Sequence, residues 1–163
     1  MNISATTVGN GEMQALIDAM SQNSTSDGLA FPLTQQQWVV LGSYLQQLSI
    51  SAGQVLVTLG EQDRSLYLVE NGSLSVHSED TNGRIRMAMV AAGSVVGEGC
   101  FFSNLPRCAT VQAAGASVLW RLSPTRFSEL SNRQPAVATQ VVMALAGLMA
   151  KRMRSRSRRY AVT

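Results

Sequence analysis

The sequence predicts a mainly β domain, a jelly roll flanked by helices at both ends. The apolar runs between Gln54 and Trp120 are short, and turn residues separate them at close intervals. Helical spacing of apolar residues occurs only before and after this stretch. Many short strands joined by glycine-rich turns are typical of an all-β sandwich or barrel, and about eight strands suit a jelly roll.

The N-terminal part predicts two helices. Residues 11–22 carry Met13, Leu16, Ile17 and Met20 at helical spacing, which indicates a short amphipathic helix after a disordered start over residues 1–10. Thr34, with Gln37 three residues later, predicts a capping box at the start of a second helix. We expect that helix to end near Gln47 and to bury Trp38, Val39, Leu41, Leu45 and Leu48.

The middle and the end of the chain predict the barrel and a helix pair. Candidate strands are VLVTL, SLYLVE, SLSVHSE, IRMAMV, SVVGE, TVQAA and SVLWRL, and Asn82-Gly83 predicts a hairpin turn between the third and the fourth. Ser123-Pro124 predicts a helix that ends near Leu130, and a last helix follows over about 135–156. The sequence predicts three parts of the chain. They are an N-terminal extension with a short helix (1–30), the β-barrel (31–134), and the C-terminal helix with its basic tail (135–163).

Composition limits the class of protein. Apolar residues make up 45% of the 163 and charged residues 14%, which is ample for a core. No secretory signal opens the chain, and the longest apolar tract, Val141 to Ala150, is too short to span a bilayer. The sequence therefore predicts a cytoplasmic protein that does not bind membranes.

The net charge of +3 belongs to a tail. Residues 1–150 hold seven arginines and all ten acids and sum to −3, whereas Lys151 to Arg159 adds six positive charges. This tail is either a solvated helix end or a salt-sensitive contact to nucleic acid or another anionic surface. We favour the solvated helix end, and we expect no nucleic-acid partner.

The chemistry concentrates in residues 96–111, VGEGCFFSNLPRCATV. Gly97 permits an unusual backbone dihedral, and a short helix starting near Gly99 would expose the amides of Gly99, Cys100 and Phe101 as an anion site. A carboxylate there, Glu98, makes sense if it accepts hydrogen bonds from hydroxyls. Nine residues later, Arg107 can fork onto two phosphate oxygens. These residues predict a nucleotide receptor.

Residues 96–101 and 107–110 resemble the phosphate-binding cassette of the cyclic nucleotide-binding domain family. That family includes protein kinase A regulatory subunits and the catabolite activator protein, and its pattern is roughly Phe-Gly-Glu-Leu-Ala-Leu followed by Arg-Ala-Ala or Arg-Ser-Ala. The resemblance covers about residues 35–155 and extends to GQVLVTLG and SLYLVENGSLSV.

The resemblance implies a role for each matching residue. Glu98 would accept the ribose 2′-hydroxyl, and Arg107 would pair with the cyclic phosphate. Backbone amides around the phosphate and apolar side chains on the purine would complete the ligand-binding set, which is Gly97, Gly99, Cys100, Cys108, Ala109, Val76 and Met87. The sequence departs from the pattern at Gly99, where the family has Leu, and at Cys108. A Ser or Thr at position 108 favours a guanine ligand. Because cysteine is a poor hydrogen-bond donor, we favour cAMP over cGMP, but only slightly.

Simpler explanations stand beside these roles. Glu98 and Arg107 could form a structural ion pair, Cys100 and Cys108 are either small buried residues or a redox pair, and His77 is an ordinary surface residue. One histidine and two cysteines argue against a zinc or haem site. Since no catalytic triad or carboxylate pair is evident, we expect no enzymatic activity and no cofactor.

The last helix determines how the protein is expected to transmit a signal. Ala138, Val141, Leu145 and Leu148 fall at heptad spacing, so the helix either packs on the barrel or pairs with a second copy in a homodimer. By resemblance it also caps the purine, through Arg152 or Arg156. Bacterial relatives continue into a helix-turn-helix module, but this chain stops at Thr163, so it is either a stand-alone sensor or a truncated chain.

The function predicted from the sequence is therefore a cytoplasmic microbial sensor. It would bind a cyclic nucleotide and signal through the terminal helix to an unidentified protein partner. The alternative is a degenerate fold that acts as an interaction scaffold through its basic tail.

Overall fold

The chain forms two sheets with helices packed on one of them. A computed structural model describes residues 10–25, 28–29 and 31–160, with the backbone alone for residues 10, 12 and 156–160. The helices are α1 (Asn10–Gln22), α2 (Gln35–Gly42), α3 (Glu98–Ser103), α4 (Pro124–Arg133) and α5 (Pro135–Tyr160). The strands are β1 (Gln46–Ile50), β2 (Val55–Val57), β3 (Leu66–Asn71), β4 (Ser73–Glu79), β5 (Ile85–Ala91), β6 (Val95–Val96), β7 (Thr110–Ala113) and β8 (Ser117–Leu122).

Each sheet has four antiparallel strands. The first sheet has the order β1-β8-β3-β6 and the second has the order β2-β7-β4-β5. Strand β5 lies at one edge of the second sheet and joins β4 through the predicted hairpin, in which Gly83 has φ of 73°. This architecture confirms the predicted mainly β class with flanking helices.

Two hydrophobic clusters enclose the first sheet. Along β3, Leu66 and Leu68 pack with the helices, whereas Tyr67 and Val69 pack between the two sheets. Because β3 is buried on both faces, its apolar residues form a continuous run and do not alternate with polar ones. The helices α1, α2, α4 and α5 therefore cover the first sheet, and α3 extends this layer through Phe101.

The second predicted helix is shorter than expected. Its capping box is confirmed, since Thr34 accepts from the Gln37 amide and the Gln37 side chain accepts from the Thr34 amide. The helix ends at Gly42, however, and residues 46–50 form β1, which pairs with β8 and places Leu48 opposite Leu119. The predicted burial of Val39 is also wrong, because this side chain is 39% exposed. Long-range strand pairing outweighs the local helical pattern here.

Helices α4 and α5 start as predicted and end later. Ser123 caps α4 and accepts from the Arg126 amide, and the helix continues three residues beyond Leu130. In α5, Ala138, Val141, Leu145 and Leu148 are all buried in the core. The heptad row therefore packs on the protein's own body.

The opposite face of α5 is apolar as well. Met143 and Met153 are 65% and 70% exposed. In the described part of the chain, residues 135–155 are the one helical stretch long and apolar enough to cross a membrane by length and composition alone. This finding departs from the prediction that every apolar tract is too short. It is weak evidence for a membrane, because core helices that pack on a barrel meet the same criterion.

Candidate functional site

The predicted cassette connects the two sheets. It leaves the edge of the first sheet at β6, passes through α3 and a loop, and enters β7 of the second sheet. Gly97, at the N-cap of α3, has φ of 92°, a conformation that other residues rarely adopt. A Cβ at this position would lie 2.4 Å from Arg107 Nη1 and 2.7 Å from the Ser65 carbonyl oxygen. Glycine is therefore required both by the dihedral and by the arginine packed against it.

The start of α3 supplies backbone donors to the site. The first amides of a helix have no partner within it. The helix begins at Glu98, so the amides of Gly99 and Cys100 belong to this set, as predicted. Phe101 does not, because its amide donates to the Gly97 carbonyl at 3.0 Å. The predicted set of three exposed amides is therefore wrong by one residue.

Arg107 is buried and held by the barrel. The residue is 4% exposed, and Nη2 donates to Asp63 Oδ2 at 2.8 Å and to the Ser65 carbonyl at 2.6 Å. Its guanidinium carbon lies 5.8 Å from the centre of the Tyr67 ring. Its Nε is buried and has no hydrogen-bond partner among the described residues. Because Nε is itself buried, an acceptor from outside the protein reaches this atom only if its neighbours move.

Asp63 is the anion that fixes Arg107. Burial raises the pKa of this carboxyl. Hydrogen bonds from Arg107 and from the hydroxyl and amide of Ser65 lower the pKa by a larger amount, so that the resulting pKa is about 2. Tyr67 donates to the same carboxylate at 3.1 Å, and burial raises the pKa of this phenol to about 12. Asp63 is therefore ionised and Tyr67 protonated over the whole neutral range.

Glu98 points to the other side of the cassette and pairs with α5. Its Oε1 accepts from Nη1 of Arg152, whose Nη2 donates to the Val95 carbonyl at 3.0 Å. The side chains of Glu98 and Arg152 are 16% and 23% exposed. Each of the two predicted ligand residues therefore has its own protein partner, and they do not form the structural ion pair with each other that was the simpler explanation.

The two cysteines lie in different parts of the cassette, Cys100 in α3 and Cys108 shortly before β7. Cys100 is buried, with Sγ 3.4 Å from the Pro106 carbonyl, whereas Cys108 is exposed and Ala109 is half-buried. Only Cys100 fits the expectation of a small buried residue. His77 is half-buried on β4, where it lies 3.0 Å from the Ser75 hydroxyl.

The predicted purine wall needs one correction. Val76 packs into the cluster between the sheets, opposite Val111 and Ala88. Met87 pairs with His77, so it lies on the outer face of the sheet, and it is 65% exposed. Successive residues of a strand point to opposite faces, so Ala88, not Met87, shares the face of Val76. The sequence pattern pointed to the wrong face, because the large apolar residues Ile85, Met87 and Met89 alternate along β5 but lie on its exposed face.

Residues outside the cassette complete the site. Asp63 and Ser65 fix Arg107 from 44 and 42 residues away in the chain, and Arg152 reaches Glu98 from 54 residues away. No local motif marks Asp63 or Ser65, and only the resemblance pointed to Arg152. In the stretches that the structure describes, no cluster of three or more His, Cys, Asp or Glu residues could hold a metal ion.

Comparisons with known proteins agree with this geometry. The family model described as "Cyclic nucleotide-binding domain" matches residues 47–134, more than half of the chain. A cAMP-dependent protein kinase regulatory subunit from Blastocladiella emersonii is 31% identical over 99 residues, which are 60% of this chain and 25% of that protein. The chain thus spans about a quarter of the length of this curated relative.

Two solved structures share the fold. A cyclic nucleotide-binding domain from Methylobacillus flagellatus superposes with a TM-score of 0.80 at 22% identity, covering 92% of this chain and 83% of that chain. The Thermus thermophilus catabolite activator protein has a TM-score of 0.69 at 25% identity, covering 80% of this chain and 60% of that one. With the family model, the paired sheets and the cassette between them, these similarities show that the chain belongs to the cyclic nucleotide-binding domain family.

Proposed function

We propose that this protein is a regulatory sensor that binds a cyclic nucleotide between Arg107 and Glu98. The observation that carries the proposal is the Arg107 guanidinium, buried and oriented by Asp63 and Ser65, with Nε lacking a partner among the described residues. A phosphate oxygen is the acceptor that such a fork suits best. The amides of Gly99 and Cys100 at the start of α3 would supply further donors.

The remaining residues fit the other parts of the ligand. Glu98 would accept from the ribose, and the proposed purine wall consists of Val76 and Ala88, in place of Met87. We favour cAMP over cGMP, because Cys108 lacks the hydroxyl that would favour guanine. Cys108 is also an exposed free thiol, which supports a reducing, cytoplasmic location.

The output would pass through α5 to a partner protein. Helix α5 contacts both α3 and α4, so a change at the cassette has a direct packing route to it. A homodimer remains part of the proposal, but on a different face from the predicted one. Because the heptad row is buried, a second copy would pack on Thr139, Met143, Ala146, Ala150 and Met153.

Calorimetric titration with cAMP, cGMP and linear 5′-AMP tests the proposal. We expect one site per chain with cAMP tightest and 5′-AMP weakest. Arg107→Lys, which keeps the charge but loses the planar fork, should weaken cAMP at least tenfold. Arg126→Lys on α4, whose side chain is 50% exposed, is the matched control and should leave the affinity unchanged. If none of the three nucleotides binds at millimolar concentration, the proposed function is wrong.

A further inference from the structure

Arg121 is a charged residue on a strand that otherwise supplies both hydrophobic cores. Strand β8 contributes Leu119 to the core between the sheets and Trp120 to the core beneath the helices. Arg121 is paired with Tyr67 of β3, so it lies on the face between the sheets, and its side chain is 34% exposed. An arginine in this place loses part of its hydration, so it needs partners within the protein that compensate for this cost.

Those partners are the two residues that also hold Arg107. Arg121 Nε donates to the Ser65 hydroxyl at 2.8 Å, and Arg121 Nη2 lies 3.7 Å from Asp63 Oδ1. Arg107 Nη2 donates to the other oxygen of the same carboxylate, Oδ2, at 2.8 Å. One carboxyl group is therefore shared by two guanidinium groups, of which Arg107 is buried and Arg121 is partly exposed.

The charges in this cluster do not cancel. Asp63 is ionised at neutral pH, since its pKa is about 2. Among the residues that the structure describes, it is the one carboxylate within ion-pair distance of either arginine, so two positive charges share one negative charge. We propose that Arg121 strengthens phosphate binding by Arg107, because it offsets the negative charge of Asp63. This inference rests on the proposed function and adds a residue to that site.

The offset matters because Asp63 has two opposing effects on a bound phosphate. It orients Arg107, but its negative charge also neutralises that arginine and repels a second anion that approaches it. With Arg121 present, the three side chains together carry one net positive charge. That net charge is equal and opposite to the single negative charge of a cyclic phosphate, so the arginine stays oriented and the site still attracts the ligand.

Arg121 acts on the ligand through Asp63 and is therefore a positioning residue. The Nη1 atom of Arg107 faces the start of the cassette, since a Cβ on Gly97 would lie against it. The bonds to Asp63 and to the Ser65 carbonyl both come from Nη2. The proposed phosphate contact and the Asp63 contact thus use different nitrogens of Arg107. The effect of Arg121 is electrostatic, and salt should weaken it because its side chain is partly exposed.

Calorimetric titration of the whole chain with cAMP at two salt concentrations tests this inference. At about 0.01 M salt, where the Debye length is about 30 Å, Arg121→Gln should bind cAMP about fivefold more weakly than the wild type. At about 1 M salt, where the Debye length is about 3 Å, the difference between the two proteins should disappear. Arg133→Gln removes the same charge from an exposed position on α4 and should match the wild type at both concentrations.

Arg121→Lys distinguishes the charge from the hydrogen bonds. Lysine keeps the positive charge but lacks the planar fork that reaches both Ser65 and Asp63. Because the inference depends on the charge, this variant should bind cAMP within about twofold of the wild type at low salt. Circular dichroism confirms that each variant is folded.

Several results would overturn the inference. One is an Arg121→Gln variant that binds cAMP at low salt as tightly as the wild type. Another is a loss of affinity that is equally large at both salt concentrations, or that is the same in Arg121→Lys, since Arg121 would then act only by holding Ser65. If the wild type itself binds neither cAMP nor cGMP, the proposed function is wrong, and the inference falls with it.

Discussion

The two halves of the site are anchored to different parts of the molecule. Arg107 is held by Asp63 and Ser65, which lie just before the buried strand β3. Glu98 is held by Arg152, on a part of α5 that has no buried residue. The half predicted to bind phosphate is therefore fixed to the barrel, and the half predicted to bind ribose is fixed to the C-terminal helix.

Because of this difference, one half of the site is suited to bind the ligand and the other half is suited to signal that the ligand is bound. A cation that is already oriented costs little to engage, so the Arg107 half is suited to hold the ligand. A carboxylate already bound to α5 connects the ligand site to that helix, so the Glu98 half is suited to report occupancy. Substitutions in the first half should change stability and binding together, and substitutions in the second half should change binding and helix order.

The largest effect is expected from Arg107→Ala. Removing this cation leaves Asp63 partly buried without its main partner, which should cost about 4 kcal/mol of unfolding free energy and abolish cAMP binding. Urea denaturation and calorimetry measure the two effects. Arg86→Ala, which removes an arginine from an ion pair whose guanidinium side is 62% exposed, is the control and should cost less than about 1 kcal/mol. Equal losses in both variants would contradict a special role for Arg107.

The second-largest effect is expected from a substitution at Gly97. Gly97→Ala places a Cβ at φ of 92° and within 2.4 Å of Arg107 Nη1, so it should cost about 3 kcal/mol and weaken cAMP binding strongly. Gly99→Ala, two residues later, meets nothing within 4 Å and should leave the stability nearly unchanged. Thermal denaturation of the pair checks the stabilities. A neutral Gly97→Ala would show that the cassette adapts more easily than the packing of Arg107 implies.

Asp63→Asn tests how much the negative charge of Asp63 contributes to the stability of the fold around Arg107. The pKa of Asp63 is about 2 in the folded protein, against an ordinary value of 3.8, so its ionised form adds about 2 kcal/mol of stability above pH 4. This contribution is lost as the pH falls from about 4 through 2, because the folded state holds its proton less tightly than the unfolded state. Asp63→Asn should lose this amount at pH 7 and flatten the acid limb of the stability curve.

Denaturation at a series of pH values measures this curve. Asp18→Asn on α1, where the carboxylate accepts only from the exposed Gln14, is the control and should keep the wild-type profile. An unchanged acid limb in Asp63→Asn would mean that Arg107 is held by packing and the Ser65 carbonyl alone.

The smallest effect on stability is expected on the outer face of α5. Met143→Glu should leave the fold intact but should shift any dimer toward monomer in sedimentation velocity, since Met143 is 65% exposed on the row proposed for a second copy. Met87→Glu, at the same exposure on the outer face of β5, should not change the association. A dimer that survives Met143→Glu would place its interface elsewhere.

Local signals in the sequence predicted most of the elements. The Thr34 capping box, the Asn82-Gly83 turn and the Ser123-Pro124 helix start depend on neighbours a few residues away, and all three are confirmed. The cassette was predicted for the same reason, since its glycine, short helix and arginine lie within one segment.

Features that depend on distant partners were not predicted. Strand β1 follows α2 without a break in the apolar pattern, and pairing with β8 more than 65 residues later decides its conformation. The partners of Arg107 and Glu98 are 44 and 54 residues away, so spacing gave no sign of them. Met87 was placed on the wrong face because the large apolar residues of this edge strand alternate on its exposed side.

The most direct test of the central claim is an amide chemical-shift titration of the wild-type chain with cAMP. We expect the largest shifts at Gly97, Gly99 and Cys108, and a second group of shifts after Leu148, because Arg152 connects this part of α5 to Glu98. Shifts at both places would show a nucleotide bound by the barrel-anchored half and reported by the helix-anchored half. A cassette whose amides do not shift at saturating cAMP, or shifts confined to the outer face of β4 and β5, would contradict the account.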